Sequence, residues 1–367
     1  MKTGPRLLLV AVLAACGFLV APVGSASAIS LPGMVLTSAT ATLPSELTGL
    51  ATGKRIQYVS TDVNGALITA TALIMTPKTG KQNRVAGWAH GTTGLADKCA
   101  PSSSQAVFWP EARDAIAALL YKGFTVAAPD YPGLGTAQSH PYLVGVSEAR
   151  ATIDAVKAAR NLDAALSTQY VLDGHSQGGA AALFANQIAG GYDGNLVLKG
   201  TSSIAPVSAI PLLAQMIPGT PIQGYLVMGL YGLNAVDPTF NPNSVLAAQA
   251  KTKQAVLTSG CLNEILASYQ SLTASQLLVG GALPAAVVTK LTSYDEPGQT
   301  TTTAPVLLVQ GDADTTIPVE LTRDILFPQL DAYTPPVTYT EVPGGTHDSA
   351  VTLSAGAVAT WLAARFA

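Results

Sequence analysis

The stretch LDGHSQGGAAALFANQIAG, residues 172–190, places one serine, Ser176, among glycines between an apolar run and a series of small residues. A phosphate-binding loop of the form GxxxxGK[ST] requires a lysine that reaches the phosphates, and no lysine lies near residues 174–179. The dinucleotide fingerprint GxGxxG is also absent there. Residues 174–178 fit GxSxG, in which a serine occupies a strained turn between a strand and a helix. The pattern predicts that Ser176 is a nucleophile near the positive end of the helix dipole. The alternative is an ordinary strand-to-helix turn.

A nucleophilic serine needs a base, and chain order limits the choice of base. In this strand–turn–helix arrangement the acid and then the histidine follow the serine. His90 and His140 precede Ser176, and His175 adjoins it with a side chain expected to point away. The remaining histidine, His347, lies in a glycine-containing turn after the last predicted strand. We therefore predict that His347 is the base.

The acid is expected on the loop after a strand that lies between the serine and the histidine in sequence. The apolar run Val306–Gln310 is that strand, and residues 311–318 follow it. Asp314 and Asp312 compete in this loop. We prefer Asp314, and Asp312 is the alternative, whose other interpretation is a residue that caps the loop. The acid would hold the imidazole in the correct tautomer and stabilise the imidazolium.

Two backbone N–H groups are expected to bind the oxyanion of a tetrahedral intermediate. One belongs to Gln177, the residue after the nucleophile, and the other belongs to the loop after an early strand. That loop reads His-Gly-Thr-Thr-Gly over residues 90–94, where small residues allow close approach of the backbone. We prefer Thr92, with Thr93 or Gly91 as alternatives. A glycine-rich turn without a catalytic role is the other interpretation.

The order of the predicted elements indicates an α/β fold. Alternation of polar and apolar residues over Arg55–Pro77, with Asn64-Gly65 in the middle, predicts a β-hairpin. Short apolar runs then alternate with helical patterns, which predicts a doubly wound, mostly parallel sheet. Further strands are predicted at Val85–Ala89, Phe124–Ala128, Tyr170–Leu172, Leu198–Ile204, Val306–Val309 and Val337–Val342. Helices are predicted at Pro110–Tyr121, Ser147–Leu166, Gly178–Ala189, Val319–Leu326 and Ser349–Arg365.

One stretch interrupts this alternation. From about residue 207 to residue 300 the sequence has no clear strand and several amphipathic helical patterns. We predict that residues 207–300 form a helical cap inserted between two parts of the core, residues 29–206 and residues 301–367.

The N-terminus has the pattern of an export signal. Lys2 and Arg6 precede the apolar segment Leu7–Val20, and small residues lead to a cleavage site near Ala28. We predict a signal peptide over residues 1–28 and a secreted protein. A retained membrane anchor is one alternative. A lipoprotein anchored at Cys16 is a weaker one, because apolar residues continue after that cysteine.

Composition restricts the partners. Charged residues make up 11% of the chain and its net charge is −3, with no basic cluster, which argues against nucleic acid as the main partner. The histidines and cysteines show no metal-ligand spacing, and no cofactor motif is present, so we predict neither a metal nor a cofactor. Cys99 and Cys261 remain after signal removal, which indicates either one disulfide or two buried thiols.

Together these motifs resemble the secretory lipases of the α/β-hydrolase superfamily, including lipase A-like enzymes. The resemblance implies hydrolysis of acylglycerols or similar carboxylic esters through a Ser–His–Asp triad and an acyl-enzyme. It also implies a helical cap, which a Cys99–Cys261 disulfide would tie to the loop beyond the oxyanion segment. It leaves esterase and true lipase open. The motifs that carry the resemblance are residues 58–62, 90–94, 99–102, 130–135, 174–179, 311–314 and 345–347.

Other functions on the same fold remain open. A triad would equally serve a peptidase that acts on short peptides, or an acyltransferase. The predicted cap is mostly apolar, which favours acyl chains over charged peptides. A non-catalytic binding protein on this scaffold would lack a member of the triad, and none is missing. We expect a small ester or lipid substrate and transient contact with a lipid interface.

Overall fold

The computed structural model describes residues 31–333 and 335–366, together with residues 1, 2 and 4. The predicted cleavage site near Ala28 and the alternative anchor Cys16 lie outside the described residues. Within the described part of the chain, no helix combines the length and the apolar character needed to cross a bilayer.

The described chain forms one nine-stranded sheet in the order β1-β2-β3-β5-β4-β6-β7-β8-β9. The strands β1, β2, β3 and β5 pair antiparallel, and those from β5 through β4 to β9 pair parallel. This arrangement confirms the predicted α/β fold with a mostly parallel sheet. The strands are β1 Val35–Ala41, β2 Ala51–Thr61, β3 Leu67–Pro77, β4 Val85–Ala89, β5 Thr125–Asp130, β6 Gln169–His175, β7 Val197–Ile204, β8 Val306–Gly311 and β9 Val337–Val342.

Helices cover both faces of the sheet, as expected for strands that are apolar along their whole length. The helices α3 and α4 pack on one face around buried Tyr58, Val85 and Leu172. The helices α2 and α13 pack on the other face around buried Trp88 and Val171. The helices of this core are α1 Ser45–Thr48, α2 Pro110–Tyr121, α3 Gly145–Leu162 and α4 Gln177–Tyr192, followed after the insertion by α12 Phe327–Asp331 and α13 Ser349–Ala363.

A helical segment separates β7 from β8, where the sequence predicts an insertion over residues 207–300. It has its own apolar core, which includes Leu230, Ile265 and Leu277 and continues into the main domain through Tyr142 and Ile317. Its α-helices are α5 Ile210–Met216, α6 Gly224–Val236, α7 Ala248–Lys251, α8 Val256–Ser259, α9 Leu262–Tyr269, α10 Ala274–Leu277 and α11 Ala285–Asp295.

The predicted hairpin and the other predicted strands are present, with three differences from the sequence prediction. The edge strand β1 was missed, because it pairs only with β2 and most of its side chains are exposed. The helix predicted to end at residue 166 ends at Leu162, where Asp163 takes an extended conformation. The helix predicted over Val319–Leu326 is a π-helix, Leu321–Leu326, that continues into α12.

Candidate active site

Ser176 lies at the turn between β6 and α4 in a strained conformation. Its φ of 58° falls in the left-handed region that a residue with a side chain rarely adopts. Its backbone N–H donates to the carbonyl of Ile204 at 2.9 Å, which fixes the turn against β7. A side chain at Gly174 would overlap the carbonyl of Gly178, and one at Gly178 would overlap the carbonyl of Ala89. The two glycines therefore allow the tight strand-to-helix turn that the GxSxG pattern predicts.

His347 and Asp314 follow β9 and β8, so the same edge of the parallel sheet brings them beside Ser176. Nδ1 of His347 lies 2.7 Å from Oδ2 of Asp314. The Asp314 carboxyl is completely buried, and 12% of the His347 side chain is exposed. Because a carboxylate only accepts, Nδ1 of His347 carries the proton and Nε2 is left as the acceptor.

The Asp314 carboxylate is held by donors from its own loop and strand. Oδ1 accepts from the backbone N–H groups of Thr316 at 2.8 Å and Ile317 at 2.9 Å. Oδ2 accepts from the Gln310 side chain at 2.8 Å, in addition to His347. Gln310 is itself fixed by the Thr322 hydroxyl at 2.8 Å. These hydrogen bonds fix the position of the Asp314 carboxylate, which in turn orients the imidazole of His347.

Asp312, the alternative acid, has a different contact. Its Oδ1 accepts from the backbone N–H of Gly344 at 2.6 Å, and its own backbone N–H donates to the carbonyl of Val342 at 3.3 Å. Asp312 therefore joins the acid loop to the loop that carries His347. The structure places Asp314, and not Asp312, against the imidazole.

Ser176 and His347 line the same open cleft, which has a volume of about 430 Å³. No hydrogen bond joins the Ser176 hydroxyl to the His347 ring among the described residues. Catalytic hydrogen bonds in ligand-free enzymes often tighten only when substrate binds. Glu111 and Asp348 also line the cleft. Burial raises the pKa of Glu111 to about 7.

The His175 side chain lies against that of His347. The two ring centroids are 4.7 Å apart. Nε2 of His175 donates to the backbone carbonyl of His347 at 3.0 Å, since a carbonyl can only accept. Burial, with a further contribution from His347, holds the pKa of His175 well below its ordinary value. His175 is therefore a neutral donor that fixes the backbone of the His347 loop.

Thr92 and Gln177, the predicted oxyanion donors, both lie close to Ser176: Gln177 follows it in the chain, and Thr92 lines the same two pockets. The N–H of Gln177 is the first of α4 and has no intrahelical acceptor. The Thr92 segment is fixed on two sides, since its hydroxyl bonds to the Tyr142 hydroxyl at 2.9 Å and its carbonyl accepts from Trp109 Nε1 at 3.0 Å. Thr92 and Ser176 line both the open cleft and a second, apolar pocket. The alternatives Gly91 and Thr93 adjoin Thr92, and Gly91 also lines the cleft.

A buried polar network holds Gln177 from behind. Its Nε2 donates to Oε1 of Glu148 at 2.7 Å and approaches Nε2 of His140 at 3.3 Å. Nδ1 of His140 donates to the Pro132 carbonyl at 2.8 Å, so its Nε2 is free to accept from Gln177. Oε1 of Glu148 also accepts from the backbone N–H of Leu143 at 2.9 Å. Burial raises the pKa of Glu148 to about 8 and lowers that of His140 to about 3. Both groups are therefore neutral near pH 7.

A disulfide joins Cys99 to Cys261, with Cα atoms 5.6 Å apart, which confirms one of the two alternatives drawn from the cysteine count. It connects the loop beyond residues 90–94 to the start of α9. A backbone hydrogen bond from Leu262 to the Thr93 carbonyl, at 2.8 Å, lies beside it. The disulfide thus ties the helical insertion to the segment that carries Thr92.

The second pocket extends from Ser176 into the helical insertion. It has a volume of about 60 Å³ and is lined mostly by apolar side chains of α5, α6 and α11. The lining residues include Ile210, Leu213, Leu226 and Leu291. Such a small apolar pocket, with Ser176 among its lining residues, suits a hydrocarbon chain.

One group of side chains among the described residues could hold a metal ion. His175, His347 and Asp348 each offer a ligand atom within 4.8 Å of the others. Nε2 of His175 already donates to the His347 backbone, so His175 would have to use its other ring nitrogen. The group includes the predicted base, and a bound ion would compete with its proton transfer.

Sequence reasoning missed the residues that hold the site from behind. Glu148 lies within an ordinary amphipathic helical pattern, and Gln310 ends an apolar strand, so neither shows a local signal. The segment Asp130–Gly135 follows β5, and its sequence favours a rigid turn that supports the site. It carries Tyr131, whose hydroxyl donates to the His90 carbonyl at 2.9 Å beneath the Thr92 segment.

Comparison with known proteins supports the resemblance drawn from the motifs. The lipase A structure of Candida antarctica superposes with a TM-score of 0.75 at 18% identity, covering 86% of this chain and 78% of that one. The cell wall degrading esterase LipA of Xanthomonas oryzae gives a TM-score of 0.73 at 19% identity, covering 91% and 97%. At these identities the likeness shows the α/β-hydrolase fold alone.

A secreted triacylglycerol lipase of Malassezia globosa is 28% identical over 197 residues, which are 50% of this chain and 41% of that lipase. The chain thus matches less than half the length of this relative. The family described as "Secretory lipase" matches residues 110–367, most of the chain. The chain belongs to the secretory lipase family.

Proposed function

We propose that the protein is a secreted serine hydrolase that cleaves carboxylic esters through a Ser176–His347–Asp314 triad. The observation that carries the proposal is the 2.7 Å hydrogen bond from His347 to Asp314, where His347 lines the same cleft as Ser176, a serine at a strained turn. Family membership and the fold agree with this chemistry.

Acylation begins when the Ser176 hydroxyl attacks the ester carbonyl carbon. Nε2 of His347 takes the hydroxyl proton as the new C–O bond forms, and Asp314 stabilises the resulting imidazolium. The carbonyl oxygen becomes an oxyanion that accepts from the backbone N–H groups of Thr92 and Gln177. A donor of this kind contributes about 3 to 4 kcal/mol to the transition state. The imidazolium then returns the proton to the leaving alcohol, and an acyl-enzyme remains.

Deacylation repeats the same steps with water as the nucleophile. Nε2 of His347 takes a proton from water while the water oxygen attacks the acyl carbon. The same N–H groups bind the second oxyanion. Collapse of this intermediate breaks the bond to Ser176, whose oxygen regains a proton from His347. The products are one carboxylic acid and one alcohol, and the enzyme returns to its starting state.

The apolar pocket favours an acyl chain as the acid part of the substrate. Its walls are formed mainly by aliphatic side chains such as Leu213 and Leu226. The larger cleft, which Ser176 also lines, has polar as well as apolar groups, including Asn263. We therefore assign the pocket to the acyl chain and the cleft to the alcohol part, which fits acylglycerol-like esters better than charged peptides.

The α5 helix is the part of the molecule that we expect to contact a lipid surface. Leu212 and Met216 are 40% and 49% exposed, while Ile210 and Leu213 on the same helix line the acyl pocket. A lipid surface at this helix would lie next to the pocket.

The export pattern of residues 1–28 and the word "secreted" in the name of the Malassezia relative support an extracellular location.

Hydrolysis of nitrophenyl esters, from acetate to palmitate, tests the proposal. Wild type and Ser176→Ala would be purified in parallel and their folding compared by circular dichroism. We expect turnover by wild type and a loss of about a thousandfold or more in the variant. The chain-length optimum would separate an esterase from a lipase. Folded wild type that cleaves amide or peptide substrates but no ester would exclude the proposed activity.

A further inference from the structure

The apolar pocket contains a buried carboxyl group that the reaction described above does not use. Asp295, the last residue of α11, lines this pocket together with Ser176. Its side chain is 4% exposed. Within residues 31–333 and 335–366, no group donates a hydrogen bond to its carboxyl and no cation pairs with it.

The surroundings of Asp295 favour its neutral form. Burial raises the pKa of the Asp295 carboxyl well above its ordinary value, and the neighbouring acids Glu148 and Glu296 raise it further. A neutral carboxyl can both donate and accept a hydrogen bond. A buried polar group without a partner costs roughly 1 to 3 kcal/mol, so an unused carboxyl in an apolar pocket calls for a partner.

The backbone at Asp295 is held in place by its neighbour. The Glu296 carboxylate accepts from the backbone N–H groups of Ala209 at 3.1 Å and Ile210 at 2.7 Å. These N–H groups start α5, which forms another wall of the same pocket. The end of α11 is therefore fixed relative to α5, and Asp295 is presented to the pocket from a rigid position.

The hydroxyl group of Tyr142, which also lines the pocket, already has a hydrogen-bond partner. The Tyr142 hydroxyl is bonded to Thr92 on the oxyanion side of the pocket. Asp295 thus offers hydrogen-bonding capacity that a pocket intended only for methylene groups would not need.

We propose that Asp295 recognises a hydroxyl group on the acyl chain of the substrate, so that the pocket prefers esters of hydroxy acids to esters of plain fatty acids. The O–H of the carboxyl would donate a hydrogen bond to the substrate hydroxyl. The other carboxyl oxygen would accept a hydrogen bond from that hydroxyl. A plain chain would leave the carboxyl desolvated and unpartnered. Sites built to hydrogen-bond a substrate group discriminate against analogues that lack it. This inference rests on the proposed ester hydrolysis.

The test uses methyl esters of one chain length, either unsubstituted or with a hydroxyl at each successive carbon, and follows acid release by titration. We expect wild type to show a kcat/KM at least about tenfold higher for one hydroxyl position than for the plain chain, the scale of one net hydrogen bond. Asp295→Leu should bring this ratio of kcat/KM values to about one and raise turnover of the plain ester. Asp295→Asn, which keeps a donor and an acceptor, should retain part of the ratio.

Leu291→Val, on the same helix and the same pocket wall, is the matched control and should leave the ratio unchanged. A wild-type ratio near one at every hydroxyl position would overturn the inference, whether or not Asp295→Leu folds. So would an equal change of the ratio in Asp295→Leu and Leu291→Val. Failure of wild type to cleave any ester would instead refute the proposed function, which makes the two failures distinguishable.

Discussion

Nδ1 of His347 lies 2.7 Å from Oδ2 of Asp314, while Asp312, two residues earlier, bonds to the backbone of Gly344 instead. The two acids lie on one loop and differ in what they contact. This difference allows the orienting role of a carboxylate to be separated experimentally from a loop-fixing role.

Asp314→Asn should lower kcat/KM by about a thousandfold or more, because an amide in place of the carboxylate favours the wrong imidazole tautomer. Asp312→Asn is the matched control and should lose far less activity, since an asparagine can still accept from Gly344. Ester hydrolysis by the two variants measures the difference. Equal losses in both would contradict the assignment of Asp314.

Glu148→Gln should weaken the dependence of stability on pH. Burial raises the pKa of Glu148 from 4.5 to about 8, so the folded state binds a proton more tightly than the unfolded state does. Its contribution to stability is fully present below the unfolded pKa and is lost as pH rises through the folded pKa. The contribution of Glu148 to the free energy of unfolding should therefore fall between pH 5 and 8, and Glu148→Gln should remove that contribution, on the order of a few kcal/mol.

Denaturant unfolding at several pH values measures this effect. Asp331→Asn, at an exposed position, should keep the wild-type slope. A Glu148→Gln slope equal to that of wild type would show that Glu148 does not hold its proton more tightly in the folded state.

Loss of the Cys99–Cys261 disulfide should destabilise the protein. The bond closes a loop with a sequence separation of 162 residues. On the chain-entropy model such a loop stabilises by about 4 to 5 kcal/mol. Cys99→Ala combined with Cys261→Ala should lower the free energy of unfolding by this order. Reductant should destabilise wild type but leave the double variant unchanged; an equal effect of reductant on both would count against the bond.

Leu212→Ser should reduce activity on an emulsified triacylglycerol and leave activity on a soluble short-chain ester unchanged. Leu212 is exposed on α5 beside the acyl pocket but does not line it. Val197→Ser is the control, because Val197 is similarly exposed at 49% and lies at the start of β7, at the opposite end of the parallel strands from Ser176. Equal activity of both variants on the emulsion would argue against contact through α5.

The sequence was sufficient for features that are local or ordered along the chain. The turn at Ser176 follows from the spacing of Gly174 and Gly178. The choice of His347 among the histidines as the predicted base follows from chain order. The choice of Asp314 over Asp312 was a preference that the sequence left open, because it depends on which side chain turns toward a loop more than thirty residues away.

Features that depend on packing between distant segments could not be predicted. Glu148 lies 29 residues before Gln177, and only the packing of α3 against α4 brings them together. Asp295 precedes Glu296, Pro297 and Gly298, a composition typical of a turn, so nothing local indicates that its carboxyl faces a pocket. The β1 strand was missed for a related reason, since an exposed edge strand has little apolar pattern.

Covalent labelling tests the central claim most directly. Wild type would be incubated with a nitrophenyl phosphonate, which transfers its phosphonyl group to an activated serine with release of nitrophenolate, and the labelled peptide would be identified by mass spectrometry. We predict one label, on Ser176, that appears in step with the loss of ester hydrolysis and is absent from folded His347→Ala. Inactivation with the label on another residue would contradict the assignment of Ser176 as the nucleophile. So would hydrolysis of esters by Ser176→Ala at the wild-type rate.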